Sequence, residues 1–154
     1  MPPDRTLHAC ALPAATSGRL RPLAELPPPQ LAALHGVLTD IDDTLTADGA
    51  ITPAALDALH RLAAAGVPVV AITGRPAGWS APLALAWPVA AIVAENGAVL
   101  LRRQGGQLQT DFVADAATRA AHQLRLQACA QAVLAQVPGA TLAQDSAGRL
   151  TDIA

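Results

Sequence analysis

Along the chain, runs of apolar and β-branched residues alternate with segments in which leucine recurs at helical spacing. Val37 to Ile41, Val67 to Ile72 and Val89 to Ala94 have strand length and composition, as expected of strands buried in a sheet. Between the first two, Leu56, Leu59 and Leu62 form one apolar helix face. Thr52 and Pro53 stand where an N-cap and a first helical residue belong, and Gly66 suits a left-handed helix end. Between the second and third runs, Ser80 to Trp87 predicts a short helix interrupted by Pro82. The order strand, helix, strand, helix, strand predicts an α/β fold, a Rossmann-like parallel sheet with right-handed crossovers.

Past Gly97 the pattern changes. Ala98 to Arg103 and Gln107 to Val113 predict a hairpin turned at Gly105-Gly106, followed by a helix from about Asp115 to Val137 that Pro138-Gly139 ends. Thr141 to Gln144 and Arg149 to Ile153 predict two further short strands. Residues 1–35 hold many of the prolines, including Pro27-Pro28-Pro29, and are expected to form a poorly ordered extension. Within it, Leu7-His8-Ala9-Cys10 resembles a lipoprotein box without the hydrophobic segment that should precede it. The expected organisation is therefore an extension (1–35), a core (36–100) and a partial α/β cap (101–154).

Composition narrows the function classes. A net charge of −2, with ten arginines scattered from Arg5 to Arg149 and no lysine, gives no basic patch for nucleic acid or an anionic membrane. No apolar stretch runs uninterrupted for the length a bilayer needs. Cys10 and Cys129 are the only cysteines and lie far apart, so neither a disulfide framework nor a zinc site is indicated, and a cytoplasmic location is expected. The oligomeric state is not legible.

Each of the three predicted strands ends in a polar cluster: Asp40 to Thr44, Thr73 to Arg75, and Glu95 to Gly97. Ligands of open α/β sheets sit outside the carboxyl ends of the strands. Asp40 and Asp42 brought together repel unless a cation compensates, and hard carboxylate, carbonyl and water oxygens suit Mg²⁺. Thr73-Gly74 at a neighbouring strand end suits phosphate, because the backbone can approach closely while N–H and hydroxyl donate. A strand ending in Asp-x-Asp is, taken alone, also the pattern of a solvated turn. Asp43 fits a turn or an active site equally. The guanidinium fork of Arg75 fits phosphate or sugar oxygens. Glu95 beside a phosphate is repulsive unless it orients something else. The four histidines show no ligand spacing, and Trp79 and Trp87 are expected to pack.

Asp40-Ile41-Asp42-Asp43-Thr44-Leu45, Ala71-Ile72-Thr73-Gly74-Arg75-Pro76 and Glu95-Asn96-Gly97-Ala98, in this order and at these spacings, resemble the haloacid dehalogenase superfamily of aspartate-nucleophile phosphatases. The last element resembles the branch with an inserted α/β cap, which includes Cof-like and sucrose-phosphate phosphatases. The resemblance implies a Mg²⁺-dependent phosphatase acting on a small phosphorylated metabolite such as a sugar phosphate, through an aspartyl-phosphate. It implies Asp40 as nucleophile and metal ligand, and Asp42 as general acid and base whose carbonyl touches the metal. Thr73 and Gly74 would hold the phosphoryl group, with Arg75 and Asn96 lining the substrate entrance.

The chain departs from that pattern in one respect. The superfamily's third-motif cation and fourth acidic motif have no counterpart after Gly97, where Asp145 and Asp152 fall in expected cap strands. The expectation is an incomplete core, truncated at its C-terminal side, with little activity of its own. The alternative is a phosphate-binding or interaction fragment without turnover. A class II terpene cyclase, which also uses an Asp-x-Asp-Asp-Thr string, needs an aromatic-lined pocket, and 2% aromatic residues cannot build one.

Overall fold

The computed structural model describes residues 22–154, so the Leu7 to Cys10 box lies outside the described residues. Residues up to Ala33 and residues Leu34–Ala154 group as two units. In the first, a 3-10 turn at Leu23–Glu25 precedes the short helix α1 (Pro28–Ala32), where the proline run supplies helix-starting residues without N–H donors.

The second unit is built on a five-stranded mixed sheet. β1 (Val37–Asp40) leads through a small hairpin, β2 (Thr46–Ala47) and β3 (Ala50–Ile51), to helix α2 (Pro53–Ala64) and strand β4 (Val69–Ile72). Helix α3 (Ala77–Ala86) then leads to β5 (Ala91–Ala94), followed by β6 (Val99–Gln104), β7 (Gln107–Phe112) and the 21-residue helix α4 (Ala116–Gln136). The sheet order is β1-β4-β5-β6-β7. β1 pairs parallel with β4 and β4 with β5, as the alternation predicts, whereas β6 and β7 join antiparallel. Among the described residues no helix is long and apolar enough to cross a membrane.

Local chemistry explains these elements. The Thr52 hydroxyl accepts the Ala55 N–H at 3.2 Å, capping α2. The helix ends in a Schellman pattern: Gly66, at φ +72°, donates to the Ala63 carbonyl, and Val67 donates to that of Leu62. Asp48-Gly49 and Gly105-Gly106 have positive φ at both central turn positions, the geometry that closes two-residue hairpins. Ile41, Leu59, Val69, Ala71, Trp87, Ile92, Ala94, Val99 and Leu101 form the buried core, so Trp87 packs as expected.

Three expectations need correction. β1, expected to be buried in the sheet, lies at an edge, and Leu38 is 73% exposed. The 98–113 hairpin forms as predicted, yet it extends the main sheet, so β6 runs straight across the boundary expected at residue 100. Thr141 to Gln144 and Arg149 to Ile153 form no strands. Their backbone donors find other acceptors: the Leu150 and Thr151 N–H groups bond to Glu95, and the Ala143 N–H bonds to the Ala154 carbonyl.

Candidate active site at the strand ends

Asp40 ends β1 opposite Ile72, the last residue of β4. That register brings the polar clusters following both strands to the same end of the sheet. Leu38, Thr39, Asp40, Thr73, Gly74 and Asn96 are among the residues lining an open cleft of about 480 Å³ there. The structure thus gathers Asp40, Thr73, Gly74 and Asn96 around one space.

Asp42 and Arg75 meet each other instead. Arg75 Nε lies 3.2 Å from both Asp42 carboxylate oxygens, and Nη2 donates to Oδ1 at 3.0 Å. The side-chain hydrogen bond and the charge of Asp42 raise the Arg75 pKa above its ordinary value. Arg75 also lies 5.0 Å from the centroid of the Trp79 ring, so Trp79 props the guanidinium, a role beyond the packing expected of it. The Thr73 hydroxyl donates to Asp42 Oδ2 at 3.3 Å and accepts the Arg75 N–H at 3.0 Å. Thr73 is buried, so its hydroxyl is fixed by these partners.

The turn after β1 winds around one acceptor. The Ile41 carbonyl takes the N–H groups of Thr44, Leu45 and Thr46, together with the Thr46 hydroxyl at 3.0 Å. Asp43 occupies the left-handed position of that turn (φ 55°) and is exposed, which suits a turn acid, since Asp tolerates this conformation better than most residues.

A second loop completes the wall. Glu95, Asn96 and Gly97 all have positive φ, and the loop is stitched to the Thr73–Arg75 loop by Glu95 N–H to the Arg75 carbonyl and Asn96 N–H to the Thr73 carbonyl. Gly74 brings the two loops close: a Cβ there would stand 2.9 Å from Asn96 Oδ1 and displace that side chain. Glu95 does orient something else. Only 2% exposed, its carboxylate accepts the N–H groups of Ala77 (2.9 Å), Leu150 (2.9 Å) and Thr151 (2.7 Å) and the Thr151 hydroxyl (2.5 Å). Burial pushes its pKa up, but these hydrogen bonds outweigh burial and leave it below the usual glutamate value.

Through Glu95 the chain's last described segment is drawn against both loops. Arg149 donates to the Gly74 carbonyl (3.3 Å) and pairs with Asp152 (2.8 Å) and Asp145 (3.1 Å), its side chain only 10% exposed. Asp152 Oδ2 accepts from Asn96 Nδ2 at 3.3 Å. The hydrogen bond to Asp152 is the main reason that the Arg149 pKa is raised, against the opposing effect of burial. Sequence reasoning missed Arg149, Thr151 and Asp152. Their partners in the two loops, Gly74, Glu95 and Asn96, are 56 to 75 residues away, and no local spacing announces them.

Asp40 and the Asp42 carbonyl are hard oxygen donors of the kind Mg²⁺ accepts, and this ion commonly takes one or two carboxylates with several waters. Among the described residues no group of three His, Cys, Asp or Glu side chains is placed to hold a metal.

The model of the haloacid dehalogenase-like hydrolases matches residues 37–142. Among solved structures, a Bacteroides thetaiotaomicron protein studied among phosphatases of the HAD enzyme superfamily is 26% identical with a TM-score of 0.47, over 73% of this chain and 39% of that one. A hypothetical protein from Geobacillus kaustophilus is 20% identical with a TM-score of 0.48, over 63% of this chain and 35% of that one. The chain thus spans well under half the length of either structure. No curated protein matches it.

Proposed function

The chain belongs to the haloacid dehalogenase-like hydrolases, and from that membership we propose that it hydrolyses phosphate monoesters of a small sugar phosphate or related metabolite, through a phosphoryl group carried on Asp40. The observation that carries the reading is the single cleft shared by Asp40 and the Thr73-Gly74 pair at neighbouring parallel strand ends. In the first step an Asp40 carboxylate oxygen attacks phosphorus, the bond from phosphorus to the leaving oxygen breaks, and Asp42 gives that oxygen its proton. In the second, water attacks phosphorus while the Asp42 carboxylate takes its proton, releasing phosphate and restoring Asp40. Thr73 and the Gly74 N–H hold the equatorial oxygens, where catalysis of phosphoryl transfer is mainly electrostatic. Mg²⁺ held by Asp40 and the Asp42 carbonyl would neutralise phosphoryl charge. Arg75 and Asn96 flank the entrance, the segment after β7 is the start of a cap, and the cytoplasmic location belongs to the same proposal.

One observation favours the second reading, phosphate binding without turnover. Asp42 is held by Arg75 in a two-pronged ion pair, and its side chain is engaged there rather than in the cleft that Asp40 lines. A single experiment separates the two. The chain and its Asp40→Asn variant are incubated with Mg²⁺ and an aryl phosphate, and phosphate release and mass gain at Asp40 are followed. Turnover and a phosphoryl adduct in the parent, both lost in the variant, support hydrolysis. Undiminished turnover in Asp40→Asn overturns the nucleophile assignment, and phosphate binding with no adduct establishes the binding reading.

A further inference from the structure

A second cavity of about 340 Å³ shares Asn96 with the cleft and is walled by Val113, Ala114, Arg119, His122 and Thr151 among others. Its chemistry differs from that of the cleft. Arg119 Nη1 donates to the Ala114 carbonyl at 2.7 Å, and its guanidinium carbon lies 3.8 Å from the centroid of the Phe112 ring. These contacts fix the guanidinium while using one of its five N–H groups.

No carboxylate side chain lines this cavity among the described residues, and Arg119 makes no ion pair with one. Asp115, four residues earlier, is turned to the Thr118 N–H as the cap of α4, at 2.8 Å. Three residues beyond Arg119 and on the same helix face stands His122. The cavity therefore offers a pre-positioned cation, a histidine and apolar walls at Ala98 and Val113, next to the place where a phosphoryl group would sit.

We propose that this cavity receives a carboxylate on the substrate, gripped by Arg119 with His122, so that the substrate is a phosphate monoester bearing a second acidic group. The proposal rests on the phosphatase reading of the adjoining cleft. An ordered guanidinium presents paired N–H groups to a planar carboxylate, and the apolar walls accommodate the carbons between the two anionic ends. A neutral sugar hydroxyl would offer Arg119 no anionic partner inside the cavity.

The test uses probes that cannot be hydrolysed. The chain is titrated with ω-phosphonocarboxylates of two to four carbons and with alkylphosphonates of matching length, while backbone amide resonances are followed. The expected result is that the best-fitting phosphonocarboxylate binds about 10-fold more tightly than its alkyl counterpart, the scale of one charge-assisted hydrogen bond. Arg119→Gln brings that ratio to about one, and Arg119→Lys, which keeps charge without the fork, retains part of it. Equal affinities at every length, or a preference that survives Arg119→Gln, overturns the proposal. Failure of the phosphatase reading has another signature: methylphosphonate would leave the Thr73 and Gly74 amides unmoved, and the proposal would fall with it.

Discussion

Glu95 belongs to the Glu-Asn-Gly element that borders the cleft, yet its carboxylate faces inward and gathers the N–H groups of Ala77, Leu150 and Thr151 and the Thr151 hydroxyl. Because its folded pKa is depressed, its stabilisation is complete above the ordinary glutamate value of about 4.3 and is lost as pH falls through the lower folded value. Acid should therefore free the 149–152 segment, seen as faster hydrogen exchange at Leu150 and Thr151. Glu95→Ala leaves buried donors unpaired, at about 1–3 kcal/mol each, and should lower the urea midpoint at pH 7 while flattening that acid dependence. Gly74→Ala makes a sharper local test. Its Cβ would push the Asn96 amide off Asp152, and phosphate affinity should fall several-fold with little change in the melting temperature. The identities of Asp40, Thr73, Gly74 and Asn96 as cleft residues were legible because strand-end position follows from local pattern. The grip of Arg75 on Asp42 was not, since spacing does not say which of two acids a guanidinium will meet.

At the scale of elements, sequence pattern located the pieces better than their limits. Val67 to Ile72 begins as a strand only at Val69, because Pro68 has no N–H to give to a neighbour. The helix expected from Ser80 begins at Ala77, behind Pro76, and runs through Pro82. A proline there forfeits the bond to the Gly78 carbonyl without ending the helix. Capping was read directly from residue types, and it yields a clean prediction. Thr52→Ala removes the acceptor for the Ala55 N–H and should cost about 1 kcal/mol, measured as a shift of the urea midpoint at unchanged slope. The strand expected at Arg149 to Ile153 failed for a reason no window of residues contains: the Leu150 and Thr151 donors are claimed by a carboxylate 55 and 56 residues earlier.

For the whole molecule, the parallel crossovers followed from alternation, but the strand order did not. A hairpin pattern specifies its own pairing and not the sheet it joins, which is how β6 and β7 came to extend the core. Nor does burial pattern distinguish a central strand from an edge when the run is short. β1 lies at an edge with Leu38 mostly exposed beside Asp40, and such an edge invites pairing with another chain. Concentration-dependent association should be measurable by sedimentation and should weaken in Leu38→Lys. An unchanged association constant would show that this edge takes no part.

The segment that Glu95 holds also sets a timetable. Contacts that join residues 74, 95 and 96 to residues 149–152 close loops of 55 to 75 residues, whereas both hairpins close over two. Closing a longer loop costs more entropy, and contacts distant in sequence form late. During refolding the strands and hairpins should therefore gain protection first, and the wall beside the Thr73–Arg75 loop last. For an interval the molecule would have native secondary structure around a cleft open on one side. Ligand affinity would then return more slowly than circular dichroism, and that lag would be the kinetic signature of a site whose final wall is carried by the last residues to arrive.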